Sequence, residues 1–176
     1  VGSLTNPNKL ANTFKSVKQS PISPKTIKKY LEYLTDSYLI EAAVRYDVRG
    51  RKYINTPLKY YFTDLGLRNA RINFRQIEQT HLMENVIYNE LRIRGYNVDV
   101  GLVEIINREA DGRKQRKRLE IDFICNMGAK RYYLQSAFAM PDAAKLAQEA
   151  RPLLRIDDSF KKIIITRDAP ASWYTE

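Results

Sequence analysis

Glu84, Asp122 and Gln135 are the residues of this sequence whose types and spacing suit metal-assisted phosphodiester chemistry. The stretch LEIDFICNMGAKRYYLQSAFA, residues 119–139, reads as two strands joined by a short turn. Side-chain alternation sets Leu119, Ile121, Phe123 and Cys125 on one face of the first strand, and Glu120 and Asp122 on the other. On the second strand Gln135 and Ala137 share a face. Pairing that matches the apolar faces projects Glu120, Asp122 and Gln135 the same way. Glu84 is the third candidate. At about 100° per residue it falls among Ile87, Tyr88 and Leu91 on the helix HLMENVIYNELRIRG. A Glu among core-facing residues is costly unless it is paired, protonated or bound to a metal. An Arg partner at the edge of the stripe would account for it without any metal.

Carboxylates converging at a sheet edge can hold Mg²⁺ or Mn²⁺, which activates water and stabilises charge on a phosphodiester. One large nuclease class adds an acid and a lysine on the second strand, the lysine neutralising the phosphoryl oxygens. Here Gln135 and Ala137 stand in those places. The expectation is weak metal binding and weak chemistry, unless Lys130 or the basic run at 113–118 supplies the missing charge. One Cys and one His exclude a Cys/His zinc site and a disulfide framework. Cys125 reads as a small buried hydrophobe in a reducing cytoplasm.

The elements that must position these residues fall into two parts. In residues 1–75, NKLANTFKSV is a short helix. Ser23 caps a second helix, with Pro24 at its first position and Ile27, Tyr30, Leu31 and Leu34 spaced as a buried face. LIEAAVRYDVRGRKYIN reads as two strands around a VRGR turn, and KYYFTDLGLRNA as a short strand and a helical turn. Helix, helix and hairpin is the plan of a winged helix, with 24–37 in the recognition position and 41–56 as the wing. Its first helix would lie upstream of residue 1. Residues 76–176 run α-β-β-β-α-β: a helix ending at Gly95, the strand YNVDVGLVEI, a hydrophilic loop NREADGRKQRKR, the two strands above, the helix PDAAKLAQEARPLL and the strand KKIIIT. Three strands, a crossover helix and a fourth strand imply a mixed central sheet in an α+β or α/β fold.

Of 176 residues, 30 are Lys or Arg against 20 Asp or Glu, a net charge of +10. That excess points to an anionic partner, nucleic acid foremost. The candidate contacts are Lys25, Lys28 and Lys29 on the second helix and Arg45, Arg49, Arg51 and Lys52 on the wing. Arg113, Lys114, Arg116, Lys117 and Arg118 form the densest run. A solvated basic surface is the plain alternative. No segment approaches the roughly 18 consecutive apolar residues of a membrane helix. Tyr60, Tyr61, Tyr132 and Tyr133 sit at core spacing and read as packing.

TIKKYLEYLTDSYLI, KYYFTDLGLRNA, LMENVIYNELRIRGYNVDVG, LEIDFI, YYLQSAFAM and KKIIIT occur in that order across nearly the whole chain. In these features the sequence resembles the carboxy-terminal region, of unassigned function, of bacterial and archaeal AAA+-type P-loop ATPases. The resemblance implies a winged helix followed by a PD-(D/E)XK, restriction-endonuclease-like domain, whose motif falls on Glu84, Asp122 and Gln135. It also implies an ATPase module as partner, although no GxxxxGK occurs here for ATP to use. Three functions follow as expectations: a DNA-binding tail with a degraded nuclease site, a working Mg²⁺- or Mn²⁺-dependent nuclease, or a regulatory module that binds protein alone.

Overall fold

The computed structural model describes residues 2–75, 77–108 and 114–168. Helices α1 (Pro7–Lys18) and α2 (Pro24–Asp36) precede the hairpin β1 (Ile40–Asp47) and β2 (Lys52–Phe62). After α3 (Leu65–Arg71) come α4 (Gln79–Ile93), β3 (Asn97–Arg108), β4 (Lys114–Met127), β5 (Lys130–Ala137), α5 (Ala143–Leu153) and β6 (Lys161–Thr166). The order from α4 onward is the α-β-β-β-α-β read from the sequence. Local chemistry sets the helix starts. Asn6, Ser23, Asp64 and Asp142 each accept a backbone N–H of the first turn.

All six strands join one mixed sheet in the order β2-β1-β3-β4-β5-β6. The hairpin expected to stand apart as a wing over 41–56 is instead the sheet's edge. β1 pairs in parallel with β3 through Arg45, Tyr46 and Asp47. The short strand expected in KYYF is the end of β2, so Lys59 and Tyr61 belong to this ladder. The hydrophilic loop is also shorter than the composition implies. β3 and β4 stay paired out to Arg108 and Lys114, so the ladder takes in residues whose composition reads as loop. The α2 stripe is only half covered: Ile27 is buried, whereas Tyr30 is 54% exposed.

Two cores flank the sheet. Beneath α4 lie Ala43, Tyr61, Tyr88, Val98, Val100, Phe123, Cys125 and Leu134. On the other face Val103, Ile105, Ile121, Ile124 and Tyr133 meet Leu153 and Ile156 beside α5. β4 contributes to both in an order that simple alternation forbids. Asp99 pairs with Ile124 but Gly101 pairs with Ile121, so β4 carries one extra residue in a bulge. Phe123 and Cys125 therefore turn to the α4 face, joining Glu120 and Asp122 instead of opposing them. Gly101 permits this crowding, since a Cβ there would stand 2.7 Å from Ile121 Cβ.

Candidate functional site

The α4 face of the sheet gathers an ion cluster around Lys59. Its Nζ lies 2.9 Å from Glu84 Oε1, 2.7 Å from Glu120 Oε1 and 3.5 Å from Asp122 Oδ1. The cluster draws Lys59 from β2, Glu84 from α4 and Glu120 and Asp122 from β4, and neighbouring groups hold Glu84 and Asp122 in place. Asn85 exchanges both amide hydrogen bonds with the Phe62 backbone, clamping α4 to β2 one residue from Glu84. Tyr61 donates its hydroxyl to Glu84 Oε1 at 2.7 Å. Asp122 Oδ2 accepts the Ser136 N–H at 2.9 Å, which ties the bulge to β5.

Lys59 is 2% exposed, and access to the cluster comes from the side of Glu120, whose side chain is 32% exposed. Gly2 closes the Glu84 side, since a Cβ on it would lie 2.7 Å from Glu84 Oε2. The segment around Gly2 is held by Thr5, which exchanges two backbone bonds with Leu58.

One ammonium shared by three carboxylates leaves the cluster short of positive charge. Burial pushes the Lys59 pKa down, but the combined field of Glu84, Asp122 and Glu120 outweighs it and the net shift is upward. Lys59 stays charged. Asp122 moves from 3.8 to about 6: its own burial dominates, Lys59 and the Ser136 N–H oppose it, and Glu84 and Glu120 add to it. Burial and the Glu84 carboxylate likewise hold the Tyr61 hydroxyl protonated. Burial pushes the Cys125 thiol up to about 12, as expected of an inert packing group.

Among the residues expected at the site, Glu84 and Asp122 meet on Lys59, and Gln135 does not. Tyr133 packs toward α5 and Gln135 follows it to that side. Its carbonyl accepts the Asp122 N–H at 3.4 Å, and its NH₂ donates to Glu149 on α5 at 3.3 Å. The shared face proposed for Glu120, Asp122 and Gln135 is thus broken by the β4 bulge. The cation beside these acids is neither Lys130 nor a residue of the basic run but Lys59 of β2. Lys59, Tyr61 and Glu120 are the cluster members that motif spacing did not single out. The signal was a lysine inside the strand PLKYYF, two residues from a tyrosine on the same face. Among the described residues no group of three or more acidic, His or Cys side chains is placed by itself to hold a metal ion.

The basic candidates divide. Lys25, Lys28 and Lys29 are exposed on α2, and Arg49, Arg51 and Lys52 are exposed at the β1–β2 turn. Arg116, Lys117 and Arg118 are exposed on β4, with Arg116 and Arg118 each 3.6 Å from Glu104. Lys114 opens the same strand, and Arg113 lies outside the described residues. Arg45 departs from the expectation of a basic wing: it is buried in the sheet.

Residues 1–78 match a family described as a domain of unknown function, DUF8612. That stretch contains Lys59 but none of its three acids. The chain is 38% identical over 166 residues to an uncharacterized protein of Haemophilus influenzae, covering 94% of this chain and 37% of that protein. It is 27% identical over 165 residues to an uncharacterized protein of Methanocaldococcus jannaschii, covering 91% of this chain and 34% of that one. The chain therefore spans about a third of the length of these curated relatives. No solved structure matches it. Among the described residues no helix is long and apolar enough to cross a membrane.

Proposed function

We propose that the chain is a nucleic-acid-binding part of a longer protein, and that its ion cluster is a metal-dependent phosphodiester-cleaving site. The observation that carries this reading is Lys59, which brings a cation to Glu84, Glu120 and Asp122 where Ala137 cannot. Burying Lys59 against acids that are largely buried themselves is a poor route to stability, because desolvation consumes most of the mutual attraction. Clusters with strongly shifted groups concentrate where chemistry is done.

The donors are oxygen only, the chemistry that Mg²⁺ or Mn²⁺ takes, but in this arrangement they converge on the Lys59 ammonium. Glu84, Glu120 and Asp122 would hold the ion once Lys59 withdraws from their centre. A bound divalent ion supplies an acidified water and charge stabilisation on the phosphate. The chain's own groups prepare that site: Ser136 orients Asp122, Tyr61 orients Glu84, and the Lys59 ammonium is held charged for phosphoryl oxygens. The exposed arginines and lysines of the β1–β2 turn, α2 and β4 supply backbone contacts. The ATPase module that the resemblance implies as partner is part of this proposal, the chain itself spanning about a third of the curated relatives' length.

A second reading is favoured by the burial of Lys59 and by Gly2 lying against Glu84. In it the cluster is a structural tie between β2, α4 and β4, and the chain binds or positions without cleaving. Plasmid nicking with Mn²⁺ separates the two. Cleavage that falls at least tenfold in Asp122→Asn, with the melting temperature and DNA binding retained, supports the active site. Salt-sensitive DNA binding without cleavage supports the second reading, and an absence of salt-sensitive binding removes nucleic acid from both.

A further inference from the structure

Arg45 carries a buried guanidinium nitrogen that no group among the described residues satisfies. The residue is 6% exposed, and its Nε is the one buried side-chain nitrogen or oxygen among the described residues without a hydrogen-bond partner. A guanidinium cannot shed its proton to relieve burial, so an unpaired one is a standing cost until an anion arrives.

Its place in the sheet explains why no partner reaches it. Arg45 pairs with Val100 on one side and Ile54 on the other, both apolar. Val100 belongs to the core beneath α4, so Arg45 lies on the face of the Lys59 cluster, while the next residue, Tyr46, packs on the opposite face. On β2 the segment 55–58 stands against Val44 alone, which interrupts the ladder beside Arg45. No carboxylate among the described residues pairs with Arg45: Glu84, Glu120 and Asp122, on the same sheet face, gather on Lys59. Asp47 accepts the N–H groups of Arg49 and Gly50, Glu41 holds Arg92 and Tyr88, and Glu104 faces Arg116 and Arg118.

We propose that Arg45 binds an oxyanion of the phosphate class. The site is on the same sheet face as Lys59, two residues along β1 from Ala43, the strand partner of Lys59. The guanidinium fork matches two phosphate oxygens. A chain of net charge +10 draws phosphate-bearing polyanions in preference to isolated carboxylates. The phosphate is either a backbone group of nucleic acid or free inorganic phosphate. The proposal rests on the nucleic-acid reading only for the first of these sources.

The test compares the melting temperatures of wild type, Arg45→Met and Arg45→Lys during titration with inorganic phosphate, and separately with acetate, at constant ionic strength. Phosphate should raise the wild-type melting temperature, leave Arg45→Met unmoved, and act on Arg45→Lys only at tenfold or higher concentration. Without phosphate, Arg45→Met should melt no lower than wild type. Equal responses of wild type and Arg45→Met overturn the proposal. If Arg45→Met does not fold, a phosphate response of Arg45→Lys equal to that of wild type does so. Acetate acting as strongly as phosphate also overturns it, in favour of a carboxylate from a protein segment. Duplex anisotropy then separates the sources. A log–log salt slope smaller by about 0.9 in Arg45→Met identifies a backbone phosphate. An unchanged slope with phosphate protection intact assigns the site to free phosphate, and leaves the cleavage reading to its own assay.

Discussion

Lys59 on β2 and Asp122 on β4 meet with their charged atoms 3.5 Å apart, although two strands, β1 and β3, lie between theirs in the sheet. The contact spans the α4 face, where Glu84 and Glu120 complete the cluster. It makes the edge hairpin part of the site.

Removing the ammonium should expose the cluster's charge imbalance. Lys59→Met is expected to lose about 3–5 kcal/mol at neutral pH, the usual cost of leaving buried charges unpaired. If the carboxylates form a divalent-ion site, Mn²⁺ or Mg²⁺ should restore part of that loss in the variant and raise its melting temperature more than that of wild type. Urea denaturation with and without the ion checks both. A variant insensitive to divalent ions would end the metal reading.

Asp122 imposes a pH dependence whose sign is fixed by its raised pKa. Between 3.8 and about 6 the folded state holds the proton that the unfolded state releases. Stability from this group is therefore complete below about pH 4 and declines as pH rises through about 6. The span corresponds to at most about 3 kcal/mol. Asp122→Asn should flatten that segment of the stability–pH curve, measured by denaturation from pH 4 to 7. A metal held by ionised Asp122 would show the opposite trend, binding more tightly above pH 6.

Gly101 tests the bulge that aims Asp122. Gly101→Ala places a methyl against Ile121 Cβ, and is expected to cost about 1–3 kcal/mol as overpacking of the β3–β4 ladder. Amide hydrogen exchange should quicken at Ile121 to Ile124. Protection equal to wild type would mean that the ladder absorbs the methyl.

Arg116 and Arg118 test the exposed arm of β4. Replacing both with Gln should lower the log–log salt slope of duplex binding by about 1.8, two phosphates' worth. Because both side chains are solvated and their ion pairs with Glu104 are long, the expected change in stability is under about 1 kcal/mol. Unaltered salt dependence would remove this arm from the nucleic-acid surface.

Ala137→Lys asks whether the motif position could be refilled. Ala137 is buried on β5 beside Thr166 of β6, on the side toward which Gln135 reaches α5. A lysine there would lie across the sheet from Glu84 and lack its acids. The expected outcome is destabilisation by several kcal/mol without any gain in cleavage. Equal urea midpoints for variant and wild type would show that the side chain finds another route out.

The local elements were legible because they depend on neighbours in the chain. Ser23 caps its helix from three residues away, alternation in YNVDVGLV marks one strand, and the apolar run KKIIIT marks another wherever their partners lie. Glu84 was also legible, as an acid among core-facing residues, and Asp122 as an acid on the polar face of an apolar strand. Their common partner was not. Lys59 is recruited through the strand order β2-β1-β3-β4, and Asp122 is parted from Gln135 by a β4 bulge that depends on Gly101 admitting Ile121. Arg45 read as a wing residue, because its composition is that of an exposed basic turn. Only the parallel pairing of β1 with β3 buries it. By itself, then, the sequence determined the helices, the strands and two of the acids, all set by short-range periodicity and capping. The tertiary structure alone decided which charges meet and which one is left without a partner, because pairing between distant strands and a one-residue bulge choose the face on which each side chain ends.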